Sequence, residues 1–309
     1  MIGIDVGGAN LKIVDDSGVH IHPCPLWKHA PLGELLENYR GNEAAVVMTG
    51  ELADCFTSKM DGIRWIVSTV KGVFSDARFY GTDGQFYQEP VPALAAANWF
   101  ASAVYLLSLY RGTLFVDMGS TTTDIVPLRD LENLKGLSDL QRLQKGYLVY
   151  HGLLRTSIPS FVRAIRIQGV LTPVSSENFA LTADMHLILK HISTKEYTCE
   201  TPDGRSPTLD SAVRRIARLV CADPEEVGGI IGVQGMADQI WEAEKERITL
   251  AVRRVEREAG TTGIVCAGTG GKLFAPLLWG IDLYKDLGDV AGALPAYAVR
   301  EVALRTAGC

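Results

Sequence analysis

The sequence predicts a duplicated α/β fold whose two lobes face each other across a cleft. Three observations carry that expectation. Two segments are built alike, Met1 to Val14 (MIGIDVGGANLKIV) and Thr113 to Pro127 (TLFVDMGSTTTDIVP), and a glycine turn, GIVCAGTGGK, follows near the end of the chain at Gly263 to Lys272. Each of the first two has an apolar β-type run, an aspartate, a turn of small residues and a second β-type run, the pattern of a hairpin whose turn carries polar chemistry.

Between the copies, Ala44 to Met48 reads as a buried strand, whereas Trp65 to Val73 reads as a helix or a strand that periodicity does not separate. Phe79 to Phe86 holds a Thr-Asp-Gly turn between short strands. Ala93 to Leu109 is an apolar helix that ends at Arg111-Gly112, and its density of apolar residues predicts burial on most faces. Asp130 to Lys145 is polar and reads as a loop or small insertions, and Ala183 to Leu189 reads as a helix. Residues 196–207 are turn-rich. Helical spacing runs from Asp210 to Val220, stops near Asp223-Pro224, and resumes over Met236 to Glu258 with Glu and Arg on the outer face. Ile264 to Ala267 is a strand that feeds the glycine turn and a helix. The expected division is an N-terminal lobe over 1–112 and a C-terminal lobe over 113–309, with an inserted segment around 130–210.

The composition limits the function classes. With 309 residues, 47% hydrophobic and 21% charged, the chain can build two cores. A formal charge of −6 weighs against a nucleic-acid partner held on a basic face, so a small ligand is expected. There is no apolar run of about eighteen residues and no basic leader before Met-Ile-Gly-Ile-Asp, so neither export nor membrane spanning is expected, and the cytoplasm is the expected compartment. Cys24, Cys55, Cys199, Cys221, Cys266 and Cys309 form no CxxC pair, which fits reduced thiols rather than disulfides or zinc.

Asp5 and Asp117 end corresponding strands, so a pseudo-twofold would bring their carboxylates together, a natural magnesium site beside phosphate oxygens. Gly7-Gly8 and Gly119-Ser120-Thr121-Thr122 suit the wrapping of phosphate by backbone N–H groups and hydroxyls, and neither is a Walker loop. Lys12 supplies a point charge to phosphate or is a solvated strand residue; Asp124 accepts a proton or orients metal-bound water. Gly268, Gly270 and Gly271 permit close backbone approach ahead of a helix N-terminus, the form of a nucleotide- or phosphate-type loop, or serve simply for tight packing. Asp184 and His186 flank a substrate or are a helix-start acid and a partly buried histidine. His151 and Arg155 reach an anionic substrate if their segment returns to the cleft, or are ordinary surface residues. The order of the three turns favours an actin-like, ribonuclease-H-like cleft over a Rossmann site, which needs GxGxxG near its start.

IDVGGANLK, VDMGSTTTDIVP and AGTGG resemble the hydantoinase/oxoprolinase branch of the actin-like superfamily. With TGELADCFTSK, AAANWFASA, YHGLLRT and TADMHLIL, the resemblance narrows, along nearly the whole chain, to the methanofuran-biosynthesis synthases of methanogenic archaea. That resemblance implies a transferase that needs no ATP. The phenol of gamma-glutamyltyramine displaces diphosphate from an aminomethyl-furanmethanol diphosphate, giving an aryl ether. Magnesium, Lys12 and the hydroxyl-rich loop would neutralise the leaving group. Asp184, His186 and Asp124 are the candidate bases for the phenol. Glu51, Asp54 and Lys59 shape the substrate pocket or form a capped, solvated helix start. Two other classes stay open: an ATP-dependent small-molecule kinase on the same loops, and a noncatalytic nucleotide-binding subunit.

Overall fold

A computed structural model describes residues 1–28 and 31–307, with Ala307 described by its backbone alone; Cys309 lies outside the described residues. The first sheet has six strands: β1 (Ile2–Val6), β2 (Asn10–Asp15), β3 (Gly18–Pro23), β4 (Ala44–Met48), β5 (Arg78–Tyr80) and β6 (Phe86–Tyr87), in the order β3-β2-β1-β4-β5-β6. The second is built from β7 (Leu114–Met118), β8 (Thr123–Pro127) and β9 (Leu148–Val149). A separate hairpin, β10 (Ala164–Ile167) with β11 (Val170–Pro173), intervenes before β12 (Ile264–Ala267) and β13 (Ile281–Asp282) complete the order β13-β12-β7-β8-β9.

The two sheets repeat one design. In each, an antiparallel meander (β1-β2-β3, β7-β8-β9) is extended from its first strand by two parallel strands (β4-β5, β12-β13). This twice-repeated 3-2-1-4-5 order is the ribonuclease-H-like unit of the actin-like fold. The duplication expected from the two hairpins therefore extends through whole sheets, and the register carries it to single residues. Asp5 pairs across the ladder with Lys12, and Asp117 pairs with Asp124.

The helices are α1 (Leu32–Glu37), α2 (Lys59–Val73), α3 (Asn98–Leu107), α4 (Asp139–Lys145), α5 (Thr182–Ile188), α6 (Leu209–Arg218), α7 (Gly229–Ala259), α8 (Gly271–Leu278), α9 (Leu283–Leu287) and α10 (Leu294–Ala307). Trp65 to Val73 falls inside α2, whose start is fixed by Ser58: its side chain accepts the Asp61 N–H and satisfies one free amide of the first turn. Residues 139–145, expected as loop, form α4, opened by a reciprocal Ser138–Gln141 capping box and closed by left-handed Gly146.

α3 and α10 lie in one core with both sheets. That core joins Ala45 and Val47 of the first sheet to Phe115, Val126, Val265 and Ala267 of the second through Trp99, Leu106, Leu294 and Val299. Each fully buried side chain of this size contributes roughly 1.5–3 kcal/mol. The C-terminal helix thus returns to the first sheet, where the backbone of Ala296 touches Gly3 so closely that an added Cβ would stand 1.9 Å from its carbonyl oxygen. The outer face of the first sheet is covered by α1 and α2, and that of the second by α7 and α8. Residues of 153–240 build a third core of their own around α5 and α6, packed on the first half of α7. No helix among the described residues is long and apolar enough to cross a membrane. Cys24, Cys55, Cys199, Cys221 and Cys266 are free thiols.

Candidate active site between the two sheets

A cavity of about 410 Å³ opens between the sheets, lined from both. Its floor is formed by the two hairpin turns, which repeat each other bond for bond. Gly7 N–H donates to Asn10 O at 3.0 Å, and Gly119 N–H donates to Thr122 O at 2.9 Å. Each turn is thereby closed on itself, while Gly7, Gly8, Gly119, Ser120, Thr121 and Thr122 all face the cavity. The second turn is supported from beneath. Leu153 N–H donates to Gly119 O at 3.0 Å and Arg155 N–H to Ser120 O at 2.9 Å, while an added Cβ at Gly152 would stand 2.4 Å from Thr121 N. The YHGLLRT segment therefore does return to the cleft. Arg155 lines the cavity, with its guanidinium 4.6 Å from the centre of the Trp27 ring of the opposite lobe. His151 is fully buried instead, bonded to Glu244.

Asp5, Asp124 and Lys12 line the cavity; Asp117 is not among its lining residues, but the charges of all three act on its carboxyl. Burial pushes the Asp5 carboxyl up to about 6, with Lys12 pulling it down and Asp124 pushing it up. Burial likewise pushes Asp117 up to about 7, Asp124 and Asp5 adding to the rise and Lys12 opposing it. Asp124 is also raised by burial, against an ion pair with Arg142 that lowers it. That Arg142 comes from α4, is itself buried, bonds Asp139 at 3.0 Å and lies 4.4 Å from the centre of the Trp99 ring. Lys12 Nζ donates to Gly292 O at 2.9 Å. Two cations, Lys12 and Arg142, among the four carboxylates of Asp5, Asp117, Asp124 and Asp139 leave a local excess of negative charge, and Asp5 Oδ1 is buried without a partner.

Three expected site elements stand elsewhere. Gly268, Gly270 and Gly271 do not line the cavity, and their N–H groups are taken by Ala291 O, Met118 O and Gly268 O at 2.9–3.0 Å. The loop packs on Asp117 rather than presenting a third anion cradle: an added Cβ at Gly268 would stand 2.2 Å from Asp117 Oδ1. Asp184 lies in the core around α5. Its Oδ1 accepts from Arg215 Nε at 2.9 Å and Nη2 at 2.6 Å and from Tyr197 OH at 2.9 Å, and Oδ2 accepts the Leu181 N–H. His186 is fully buried, its Nε2 3.0 Å from Glu244 Oε2 and its Nδ1 3.0 Å from His191 Nδ1. Neither lines the cavity. A helix-start acid and a buried histidine are therefore what these two positions hold, both facing partners within the core rather than the cavity.

Glu51 is the carboxylate whose weight the spacing did not reveal. It follows Thr49-Gly50 at the end of β4, and this turn is the counterpart of Thr269-Gly270 after β12: Gly50 N–H donates to Val6 O at 3.0 Å, and Gly270 N–H donates to Met118 O at 2.9 Å. The signal was present in the parallel strings VMTGEL and AGTGGKL. Glu51 lines the cavity, is 1% exposed and keeps Oε2 unpaired. Asp54 is exposed at the cavity lining, and Lys59 opens α2 outside it.

A hydantoinase/oxoprolinase family model matches residues 42–285. A (4-{4-[2-(gamma-L-glutamylamino)ethyl]phenoxymethyl}furan-2-yl)methanamine synthase of Methanocaldococcus jannaschii is 35% identical over 98% of this chain and 97% of its own length. The chain belongs to this synthase family, within the hydantoinase/oxoprolinase group. A second such synthase, from Methanococcus vannielii, is 33% identical over 54% of this chain and 75% of its own length. Among solved structures, nucleotide-free acetone carboxylase aligns with a TM-score of 0.53 at 10% identity, covering 96% of this chain and 69% of that one, a likeness of fold alone.

Proposed function

We propose that the protein is the aryl-ether-forming synthase of methanofuran biosynthesis. It would join the phenol oxygen of gamma-glutamyltyramine to the ring-attached methylene of an aminomethyl-furanmethanol diphosphate, with release of diphosphate. The observation that carries this reading is full-length kinship to a synthase whose product name contains that phenoxymethyl-furan linkage.

The cleft chemistry suits the reaction. A furan ring feeds electrons into an adjacent CH2, so the carbon–oxygen bond to diphosphate can break ahead of attack. The protein's main task is then to hold and neutralise the departing anion. The amides and hydroxyls of Gly7-Gly8 and Gly119 to Thr122 would hold its oxygens, and the Lys12 ammonium would supply positive charge. Arg155 and the Trp27 face, on the same cavity, would grip the acceptor and keep water from the reactive carbon.

Asp5 and Asp117 fit a magnesium ion. The first has a buried oxygen with no partner, and both carboxyls are pushed up by burial first and by neighbouring carboxylates second. No group of three or more His, Cys, Asp or Glu side chains is arranged to hold a metal among the described residues, so substrate oxygens and water would complete the ligand set. When bound, the ion would lower the charge of the diphosphate as it leaves.

The test is diphosphate release by the purified protein with magnesium and both substrates, beside tubes lacking one substrate and a tube with ATP and the furanmethanol phosphate. Release that needs both substrates, and is lost in Asp117→Ala, supports the synthase. ADP formation in the ATP tube alone replaces it with a kinase.

A further inference from the structure

We propose that Glu51 is the proton acceptor for the attacking phenol, a role that rests on the synthase reading of the same cleft. The assignment begins with the duplication. In the second copy, the residue after Thr269-Gly270 is Gly271, the first residue of α8; in the first copy the same place is Glu51. A carboxylate there repels phosphate, so this corner of the cavity serves something other than the diphosphate.

The side chain is held for a purpose that the protein alone does not meet. The backbone of Glu51 is wedged against Gly62, where an added Cβ would stand 2.2 Å from Glu51 O, and the preceding Gly50 is tied to Val6 at the edge of the first anion turn. The carboxyl lines the cavity with Oε2 buried and unpaired, an arrangement that costs about 1–3 kcal/mol unless a ligand completes it. Ala96, whose N–H faces this carboxyl, adopts a left-handed φ of 49° on the cavity wall. Strain of that kind concentrates at functional sites.

Burial, backbone N–H groups and nearby charges set the basicity of Glu51. Burial raises it most, its own backbone N–H lowers it, Asp139 from α4 across the cleft raises it, and Lys59 at the start of α2 and the Ala96 N–H lower it, leaving it at about 7. Arg142 and Asp54 line the same cavity, and Arg142 is committed to Asp124 and Asp139. A base near neutrality is matched to a proton that must leave a phenol of pKa about 10 as its oxygen bonds to carbon. The step balances. The carbon–oxygen bond to diphosphate breaks with its electron pair going to diphosphate, a phenol oxygen lone pair forms the new bond to the methylene, and the phenol proton passes to Glu51 Oε2.

The experiment measures diphosphate release by wild type, Glu51→Gln and Glu51→Asp over pH 5.5–9, with gamma-glutamyltyramine and with a ring-fluorinated analogue whose phenol is more acidic. Melting curves verify that each variant is folded. Glu51→Gln is expected to lower kcat about 100-fold or more with the ordinary phenol. The defect should shrink at least tenfold with the acidic phenol, the KM of the furan diphosphate should stay unchanged, and Glu51→Asp should regain part of the rate. An equal defect with both phenols overturns the assignment, as does a defect confined to the KM of the furan diphosphate, which would make Glu51 the counter-ion of the aminomethyl group. If Glu51→Gln does not fold, the comparison of phenols in Glu51→Asp decides by the same criterion. Failure of the wild type to release diphosphate overturns the synthase reading and this role with it.

Discussion

Lys12 and Asp124 occupy one position in two copies of the same unit: each is the cross-strand partner of the aspartate one residue before its strand's end, Asp5 for Lys12 and Asp117 for Asp124. A duplicated fold left symmetric here would carry four carboxylates or two lysines. The substitution of one partner makes the cleft chemically polar, with a cation held by Gly292 O on the first sheet and an acid held by Arg142 on the second. Asp5 and Asp117 both feel Lys12 as the charge that lowers them.

Lys12→Ala should therefore lose the charge that meets the departing diphosphate. The expected result is a fall in kcat of roughly 100- to 1,000-fold, the scale seen when a donor to developing negative charge is removed. Stability should fall by about 1–3 kcal/mol, because the hydrogen bond to Gly292 O is lost together with the attraction for Asp5 and Asp117. Steady-state diphosphate release and a urea titration measure the two effects separately.

The glycines divide by what surrounds them. Gly268 has φ +79° and an added Cβ would meet Asp117 Oδ1 at 2.2 Å, so Gly268→Ala should cost about 1–3 kcal/mol or more and lower activity by displacing that carboxylate. Gly8 has nothing within 4 Å of an added Cβ and lines the cavity. Gly8→Ala should thus stay within about 0.5 kcal/mol of wild-type stability while raising the KM of the diphosphate substrate. Thermal melts beside KM values separate a turn that positions a carboxylate from one that faces ligand.

These contrasts mark how far local pattern reaches. Asp5, Lys12, Asp117 and Asp124 were legible because a hairpin fixes its own register within about ten residues, and two hairpins of one design fix each other. The α4 contribution was not. Arg142 sits in a stretch that is polar along its length, and only its ion pair with Asp124 gives it a place in the site. Gly268 to Gly271 had the composition of an anion loop, but whether its amides are free depends on Met118 and Ala291, which sequence spacing does not bring together. The return of α10 to the first sheet and the unpaired state of Glu51 depend in the same way on contacts between distant segments.

Asp184 follows the same rule, and its ion pair gives a stability prediction. With both Asp184 and Arg215 side chains fully buried, Asp184→Asn leaves the guanidinium without its main counter-charge and should cost about 3–5 kcal/mol. The double variant Asp184→Leu with Arg215→Met should recover most of the loss, since no charge is then stranded. The rate per folded molecule should stay near wild type in both. Denaturant midpoints and active-site titration would expose a direct catalytic role as a rate loss that the double variant does not repair.

His191 sets the pH response of the core behind the second turn. Burial pushes its imidazole down to about 4, His186 adding to the fall and Lys245 with it, against Glu244 and Asp238, which raise it. The folded state therefore holds His191 neutral where the unfolded chain, near 6.5, would already be protonated. Its contribution is present above about pH 6.5 and is lost as pH falls toward 4, because unfolding then takes up a proton. Glu244 adds a loss at lower pH: burial raises it, but His186 and His151 outweigh burial and hold it below the usual carboxylate range, so protonating it costs folded-state stability. The cleft carboxyls Asp5, Asp117 and Glu51 are raised and act in the opposite sense, so the readout must be a difference between proteins. His191→Phe should flatten the decline in urea midpoint between pH 6.5 and 4 relative to wild type while leaving the loss from Glu244 below it. A parallel decline in the two proteins would mean that the imidazole is protonated in the fold.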